Sequence, residues 1–204
     1  FINGCVGCIL LGVAVSMFFF GAEFSVSKGN ILNGSSPMIS VWAPSHGFEA
    51  IFNWKNLLLG FTVLFLARTQ GALYLLNNNS NPDSFFKANR RRAMVNGAIF
   101  VVLFLIFAGV LLTSTGLETT LNGGIDGLRS TFAPREFKYF HNLVEMPWTL
   151  AIFLIGVVMV LYAIIRSTLA DHWTDGIWWS GTGTILVVLC LFWIAGYNNT
   201  PYYP

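Results

Sequence analysis

The sequence predicts an all-α integral membrane protein, a bundle of about five transmembrane helices that forms part of a larger bundle. Of its 204 residues, 55% are hydrophobic and only 10% are charged, whereas a soluble domain carries about 25% charged residues. The apolar residues also fall into five runs near the length of about 20 residues that crosses a bilayer. These runs are continuously apolar rather than alternating, which argues against membrane strands. Helix is the fold that satisfies their backbone hydrogen bonds within each segment.

The predicted spans cover residues 5–22, 53–76, 93–117, 140–165 and 176–197. We interpret residues 1–204 as a single transmembrane helical domain. The chain begins at Phe1 rather than Met and enters an apolar run almost at once. We therefore expect an interior piece of a longer protein that lacks N-terminal and C-terminal helices.

The orientation of the bundle is predicted from its basic residues, because Lys and Arg concentrate in short cytoplasmic loops. The totals on the two sides are equal, so the density of charge decides. Lys87, Arg90, Arg91 and Arg92 lie together at the start of the third helix. We expect this cluster to be cytoplasmic, with the N-terminus inside and the C-terminus outside.

Small residues line the last predicted span. Gly176, Ser180, Gly181 and Gly183 lie close together in the sequence. Residues of this size let membrane helices approach each other closely, although such patterns are common in membrane helices.

Arg68 is the one charge placed deep in a predicted span, and charges in spans are costly enough to suggest a function. One reading is a snorkelled or structurally paired arginine. The other is an arginine that holds a buried carboxylate, a lipid phosphate or a quinone headgroup. Both readings stay open on the sequence alone.

Histidine and glutamate pairs occur at two helix starts. His141 and Glu145 share a helix face at i, i+4, where they could relay protons or form an interfacial pair, which we favour. His46 and Glu49 lie at i, i+3 just before the second helix, and Pro44 and Ser45 supply a cap ahead of them. A loop or interfacial role is favoured there too. His172 lies in a short polar loop, where we expect it to be solvated.

Metal and nucleic-acid sites are not predicted. Cys5 and Cys8 form a C-x-x-C within an apolar run, but two cysteines without further ligands cannot close a tetrahedral zinc site. The net charge is only +2, and the basic residues do not form the patch that a nucleic-acid binder needs. A haem would need ligands that face each other across the bundle, whereas His46 and His141 both fall at helix ends.

Three stretches resemble a known family in their order and spacing. They are NLLLGFTVLFLARTQGALYLLNN with HGFEAIFNWK before it, FKYFHNLVEMPWTLAIFLIGVVMVLY, and the terminal AGYNNTPYYP. Together they resemble subunit II of cytochrome bd-type quinol oxidases over roughly residues 4–204. The resemblance implies that about three helices precede this piece and about one follows it.

The family resemblance implies a bacterial inner-membrane complex that takes electrons from quinol and reduces dioxygen to water. Haem b and haem d, with the quinol-oxidising loop, would belong to subunit I. Subunit II would carry no haem, pack against subunit I as a pseudo-symmetric partner, and contribute to proton access and to lipid or quinone binding. The acidic residues of the family's proton entry lie in helices before Phe1, so no catalytic residue is carried over.

Arg68, Tyr74, His141 and Glu145 are candidates for lipid or quinone contacts. Two other functions compete with the oxidase subunit: a polytopic secondary transporter and a non-catalytic membrane scaffold. A transporter is disfavoured because no predicted span carries a proline at its centre.

Overall fold

The computed structural model describes residues 2–21, 24–27, 39–79, 84–121, 130–170, 173–197 and 200. Helices dominate this part of the chain, and two short antiparallel hairpins join them. The helices are α1 (Ile2–Phe20), α2 (Trp54–Asn78), α3 (Ser84–Leu112), α4 (Lys138–Glu145), α5 (Pro147–Leu169) and α6 (Gly176–Gly196). The strands are β1 (Phe24–Ser27), β2 (Ile39–Trp42), β3 (Gly116–Leu121) and β4 (Ser130–Arg135).

Five of these helices, α1, α2, α3, α5 and α6, are long and apolar enough to cross a membrane, at 19 to 29 residues each. Their outward faces carry large apolar side chains: Leu105, Val158 and Ile185 are each about 60% exposed. A soluble protein would cover such a surface, whereas lipid tails solvate it. The prediction of an all-α membrane bundle is confirmed.

The fourth predicted span is wrong in its bounds. We expected one helix over residues 140–165, with Pro147 tolerated near its start. Instead α4 ends at Glu145, and α5 begins at Pro147, the first residue of the new helix. Proline lacks the amide hydrogen that a continuous helix would need, and its ring would clash with a carbonyl of the preceding helical turn. The helix is therefore interrupted at Met146.

The second span begins within one residue of the prediction, at Trp54, whereas the third begins earlier than predicted. Asn53 caps α2 by accepting a hydrogen bond from the Lys55 amide at 3.0 Å, rather than the cap that we expected from Pro44 and Ser45. A short 3₁₀ turn, Phe48–Phe52, lies ahead of it. The third helix begins at Ser84, about two and a half turns before the predicted start, because the basic cluster is itself helical.

The two hairpins were not predicted. β1 pairs antiparallel with β2, and β3 with β4. They follow α1 and α3, at the end of the bundle where α4 also lies. We name this the hairpin end, and the opposite end, where Arg68, Arg90 and Arg92 lie, the arginine end.

An ion cluster joins the second hairpin to α4. Glu118 of β3 contacts Lys138 at 3.0 Å and Arg135 at 2.9 Å. The Lys138 side chain is fully buried, whereas that of Arg135 is 38% exposed. The hydrogen bond from Lys138 is the main cause that lowers the pKa of Glu118 below its usual 4.5, and the bond from Arg135 acts in the same direction.

The helices pack at close range where small residues meet. A Cβ on Gly12 of α1 would lie 2.7 Å from the Cα of Gly60 in α2. The core then fills with large apolar side chains, among which Phe107 and Leu111 of α3 are fully buried. Helix α4 closes this core at the hairpin end through Leu143.

Two contacts show that the arginine end is one continuous end of the bundle. Arg90 at the start of α3 donates to the Thr168 carbonyl at the end of α5 at 2.8 Å. Asn77 at the end of α2 donates to the Thr174 carbonyl before α6 at 3.2 Å. Both side chains satisfy carbonyl groups at or near helix ends.

Candidate functional site

Arg68 lies on α2 with its guanidinium directed toward α3. Its Nε donates to the Oδ1 of Asn96 at 3.0 Å, and Asn96 in turn donates from Nδ2 to the Arg92 carbonyl at 2.7 Å. The arginine is therefore paired, as one of the two readings expected, but with a neutral amide. Its charge has no carboxylate partner within the described part of the chain.

A cavity of about 610 Å³ opens beside Arg68 between α1, α2 and α3. Its polar lining consists of Arg68, Asn89, Arg92 and Asn96. The Oδ1 of Asn89 accepts a hydrogen bond from Arg92 Nη1 at 3.2 Å. The Nδ2 of Asn89 is buried without a partner among the described residues. The cavity therefore presents two cations and one unused amide donor.

The remaining cavity lining is small or apolar. It includes Gly4, Cys5 and Cys8 of α1 and Gly71 of α2. The C-x-x-C thus lies on the cavity wall. No group of three or more His, Cys, Asp or Glu side chains able to hold a metal occurs among the residues that the structure describes.

Sequence reasoning missed three members of this site. Asn89, Arg92 and Asn96 follow a spacing of three and then four residues, which places them along one face of α3. Arg92 had served only to orient the bundle, and the two asparagines carry no charge to mark them. A polar stripe continuing from a basic cluster into an apolar helix was the signal that could have found them.

Tyr74 is not part of this cavity. It lies on α2, 57% exposed, and its carbonyl accepts a hydrogen bond from Asn78 at 3.0 Å. As a lipid or quinone contact, Tyr74 stays a prediction.

His141 and Glu145 lie at the opposite end of the bundle from Arg68. Helix α4 contacts the end of α1 through Tyr139, whose hydroxyl donates to the Phe19 carbonyl at 3.0 Å. The Arg68 cavity instead touches the start of α1 at Cys5, about 21 Å away along the helix. The four candidate residues therefore do not form one site.

The side chains of His141 and Glu145 are both exposed. The Nδ1 of His141 contacts the carbonyl of Phe137, the N-cap residue of α4, at 2.9 Å. An imidazole that donates to this carbonyl is held against its own helix. Lipid or quinone contact by this pair stays a prediction.

His46 and Glu49 lie in the turn before α2. Glu49 accepts hydrogen bonds from the Ser45 hydroxyl and from the Gly47 amide, the latter at 3.1 Å. The Ser45 bond is the main cause that lowers the pKa of Glu49. These contacts are local, as a loop role requires. His172 lies outside the described residues.

A second cavity, of about 130 Å³, lies in the core between α2, α3, α5 and α6. Its lining is apolar apart from the hydroxyls of Thr62 and Thr184. No His, Met, Cys or Tyr lines it, and these are the side chains that ligate haem iron. The residues of this cavity therefore do not fit a haem.

One polar contact crosses the core beside that cavity. Gln70 of α2 donates from Nε2 to the hydroxyls of Ser180 and Thr184 on α6, at 2.9 Å and 3.3 Å. Its Oε1 is buried without a partner among the described residues. This contact fixes α2 against α6.

The apolar spans, their lipid-facing side chains and the polar cavity define a polytopic α-helical membrane protein. Residues 1–203 match the family cytochrome bd terminal oxidase subunit II. The chain belongs to that family, and the resemblance seen in its sequence is confirmed. No curated protein matches the chain. Membership makes the protein a component of a haem-containing terminal oxidase, an oxidoreductase complex that includes another subunit.

Proposed function

We propose that this chain is the non-haem subunit of a quinol oxidase that reduces dioxygen to water, and that it supports a haem-bearing subunit I. The observation that carries the proposal is the kind of side chains that line the bundle core. The core cavity offers no haem ligand, and the described histidines, His46 and His141, lie at the hairpin end. Family membership supplies the complex in which haem b and haem d would be held by the partner.

The chain's own part in this proposal is structural support and access. Five apolar helices give it a wide lipid-facing surface, on which a pseudo-symmetric partner in the bacterial inner membrane would pack. Few polar side chains lie deep in the bundle. Those that line the cavity beside Arg68 extend inward from the arginine end. We propose that this end faces the cytoplasm, because the basic cluster of Lys87 and Arg90–Arg92 lies there.

No observation in the described bundle favours a transporter. A discontinuous helix near the bilayer middle would do so. The one break described here, at Met146, lies instead at the hairpin end between α4 and α5.

The proposed function is tested by affinity purification of the full-length protein from its native membrane. We expect a partner subunit to co-purify with the reduced-minus-oxidised bands of haem b and haem d, and with quinol-dependent oxygen consumption. Separation of the subunits should leave all haem with the partner. Haem that stays with this chain, or a deletion strain with unchanged haem d bands and cyanide-resistant quinol oxidation, would contradict the proposal.

A further inference from the structure

We propose that the cavity lined by Arg68, Asn89, Arg92 and Asn96 binds the phosphate of an anionic phospholipid. The two guanidinium groups would pair with the phosphate oxygens, and the unused amide of Asn89 would donate to the same group. The proposal concerns a ligand of this chain alone and does not depend on quinol oxidation.

The two cations of the cavity have no carboxylate partner among the described residues, which favours an anionic ligand. Arg68 and Arg92 contact only asparagine side chains through their guanidinium groups in the described part of the chain, and no Asp or Glu is among the described residues that line the cavity. An uncompensated arginine within a span is costly. A phosphate supplies the missing negative charge and accepts paired hydrogen bonds from a guanidinium.

The buried asparagines pre-organise the site. Asn96 is 7% exposed and holds the Nε of Arg68, which leaves both Nη groups of that arginine without a partner in the described residues. Asn89 is 1% exposed and accepts from one Nη of Arg92. Its own Nδ2 is buried and has no partner in the described part of the chain, and a buried donor without an acceptor costs free energy. A ligand oxygen in the cavity would satisfy it.

The depth of the site matches a headgroup. The residues of α3 after Arg92 carry no charge, and Asn96 is the one polar side chain among them. This composition predicts the hydrocarbon boundary near Arg92. Asn96 is one turn further in, about 6 Å deeper. Arg68, held by Asn96, can reach back toward that boundary. A phosphate at the level of Arg92 is then accessible to both arginines.

The shape of the site leaves room for a lipid. A Cβ added at Gly71 or Gly4 would meet no atom within 4 Å, so the cavity is open along these glycines. Leu64 and Leu75 give an apolar wall on which an acyl chain can lie. A neutral quinone would leave both positive charges uncompensated, which is why we favour an anionic lipid. Basic pockets between membrane helices on the cytoplasmic side are known to take such headgroups.

The test measures lipid binding to the purified full-length protein, with any subunit that co-purifies, after delipidation in detergent. Phosphatidylglycerol, phosphatidylcholine, inorganic phosphate and a soluble quinone are each titrated, and binding is followed by native mass spectrometry and thermal shift. We expect phosphatidylglycerol to bind and stabilise the protein, with phosphatidylcholine and quinone much weaker. Free phosphate should bind weakly because it lacks acyl chains.

Two pairs of variants locate the binding. Arg92→Gln should weaken phosphatidylglycerol binding by about tenfold, the loss of roughly one charge-assisted pair. Arg91→Gln removes an adjacent charge that does not line the cavity and should not weaken binding. Gly71→Phe should block the cavity, whereas Gly109→Phe fills open space on α3 and should leave binding unchanged.

Several results would overturn the proposal. Equal loss of binding in Arg91→Gln and Arg92→Gln would show a diffuse electrostatic effect. Inorganic phosphate that binds as tightly as the lipid would identify the ligand as a free anion. Quinone binding that is abolished by Arg92→Gln would identify the ligand as a quinone. If Gly71→Phe fails to fold, the Arg91 and Arg92 pair decides the question by itself.

Discussion

Gly156 of α5 and Gly183 of α6 face each other at the closest approach of these two helices. A Cβ on Gly183 would lie 2.6 Å from the Gly156 carbonyl oxygen, and a Cβ on Gly156 would lie 2.8 Å from the Gly183 carbonyl oxygen. Neither distance is compatible with a side chain, because backbone atoms cannot move aside as a flexible side chain does. The pair therefore sets the separation of α5 and α6.

Substitution of Gly183 by leucine is expected to force α5 and α6 apart and to lower the thermal stability of the protein in detergent. Overpacking costs about 1–3 kcal/mol, and occasionally more. Gly181 is the matched control, because a Cβ there would meet nothing within 4 Å. Gly181→Leu should leave the melting temperature nearly unchanged. Equal melting temperatures for the two variants would show that the close approach does not stabilise the bundle.

The same helix shows what sequence patterns can and cannot give. The small residues of α6 were predicted to allow close approach, and Gly176, Ser180 and Gly183 are indeed buried. Gly181 is not buried, because positions two residues apart on a helix, such as Gly181 and Gly183, face nearly opposite directions. Its position could have been excluded by spacing alone, whereas the partner Gly156 could not have been named without the structure.

The site shows a similar division. Arg68 was found because a charge inside an apolar run is conspicuous. Its partner Asn96 lies 28 residues away in sequence, and an uncharged amide in a span gives little signal. The five spans were predictable because length and composition determine them, but the two hairpins depend on pairing between short segments, which hydropathy does not report.

The ion cluster at the hairpin end gives a second prediction. Glu118→Gln should destabilise the protein by about 1–3 kcal/mol, because Lys138 is fully buried and would lose its carboxylate partner. Arg135→Gln should cost less than about 1 kcal/mol, since that side chain is 38% exposed and exposed ion pairs contribute little. Thermal unfolding of both variants in one detergent compares them. A larger loss in Arg135→Gln would contradict the assignment.

The pH dependence of stability follows from the same carboxylate. The pKa of Glu118 is lowered in the folded protein, mainly by the bond from Lys138, so its contribution is fully present above the unfolded pKa near 4.5 and is lost as the pH falls through the lowered value. The difference in melting temperature between the wild type and Glu118→Gln should be constant from pH 7 to about 5 and shrink below pH 4.5. The comparison cancels carboxylates that both proteins share. A difference that grows on acidification would refute the linkage.

Asn142 of α4 ties that helix to the end of α6. Its Nδ2 donates to the carbonyls of Ile194 and Tyr197 at 2.9 Å and 3.2 Å and to the Thr200 hydroxyl at 2.8 Å. The side chain is fully buried, and helix-end carbonyls lack partners within their own helix. Removing this donor should therefore leave the buried Ile194 carbonyl without this hydrogen bond, whereas the Tyr197 carbonyl still accepts one from the Thr200 hydroxyl.

We expect Asn142→Leu to lower the stability by about 1–3 kcal/mol and to expose the chain after Gly196 to proteases. Asn142→Asp should be worse, because a carboxylate has no hydrogen to donate and directs its charge at two carbonyl oxygens. Val144, which is 54% exposed on the same helix, gives the control Val144→Ala, with little change expected. Aspartate matches asparagine in size, whereas leucine is bulkier, and neither has an NH2 group to donate. A larger loss in Asn142→Leu than in Asn142→Asp would follow side-chain volume, and would show that packing, and not the hydrogen bonds, holds α4 against α6.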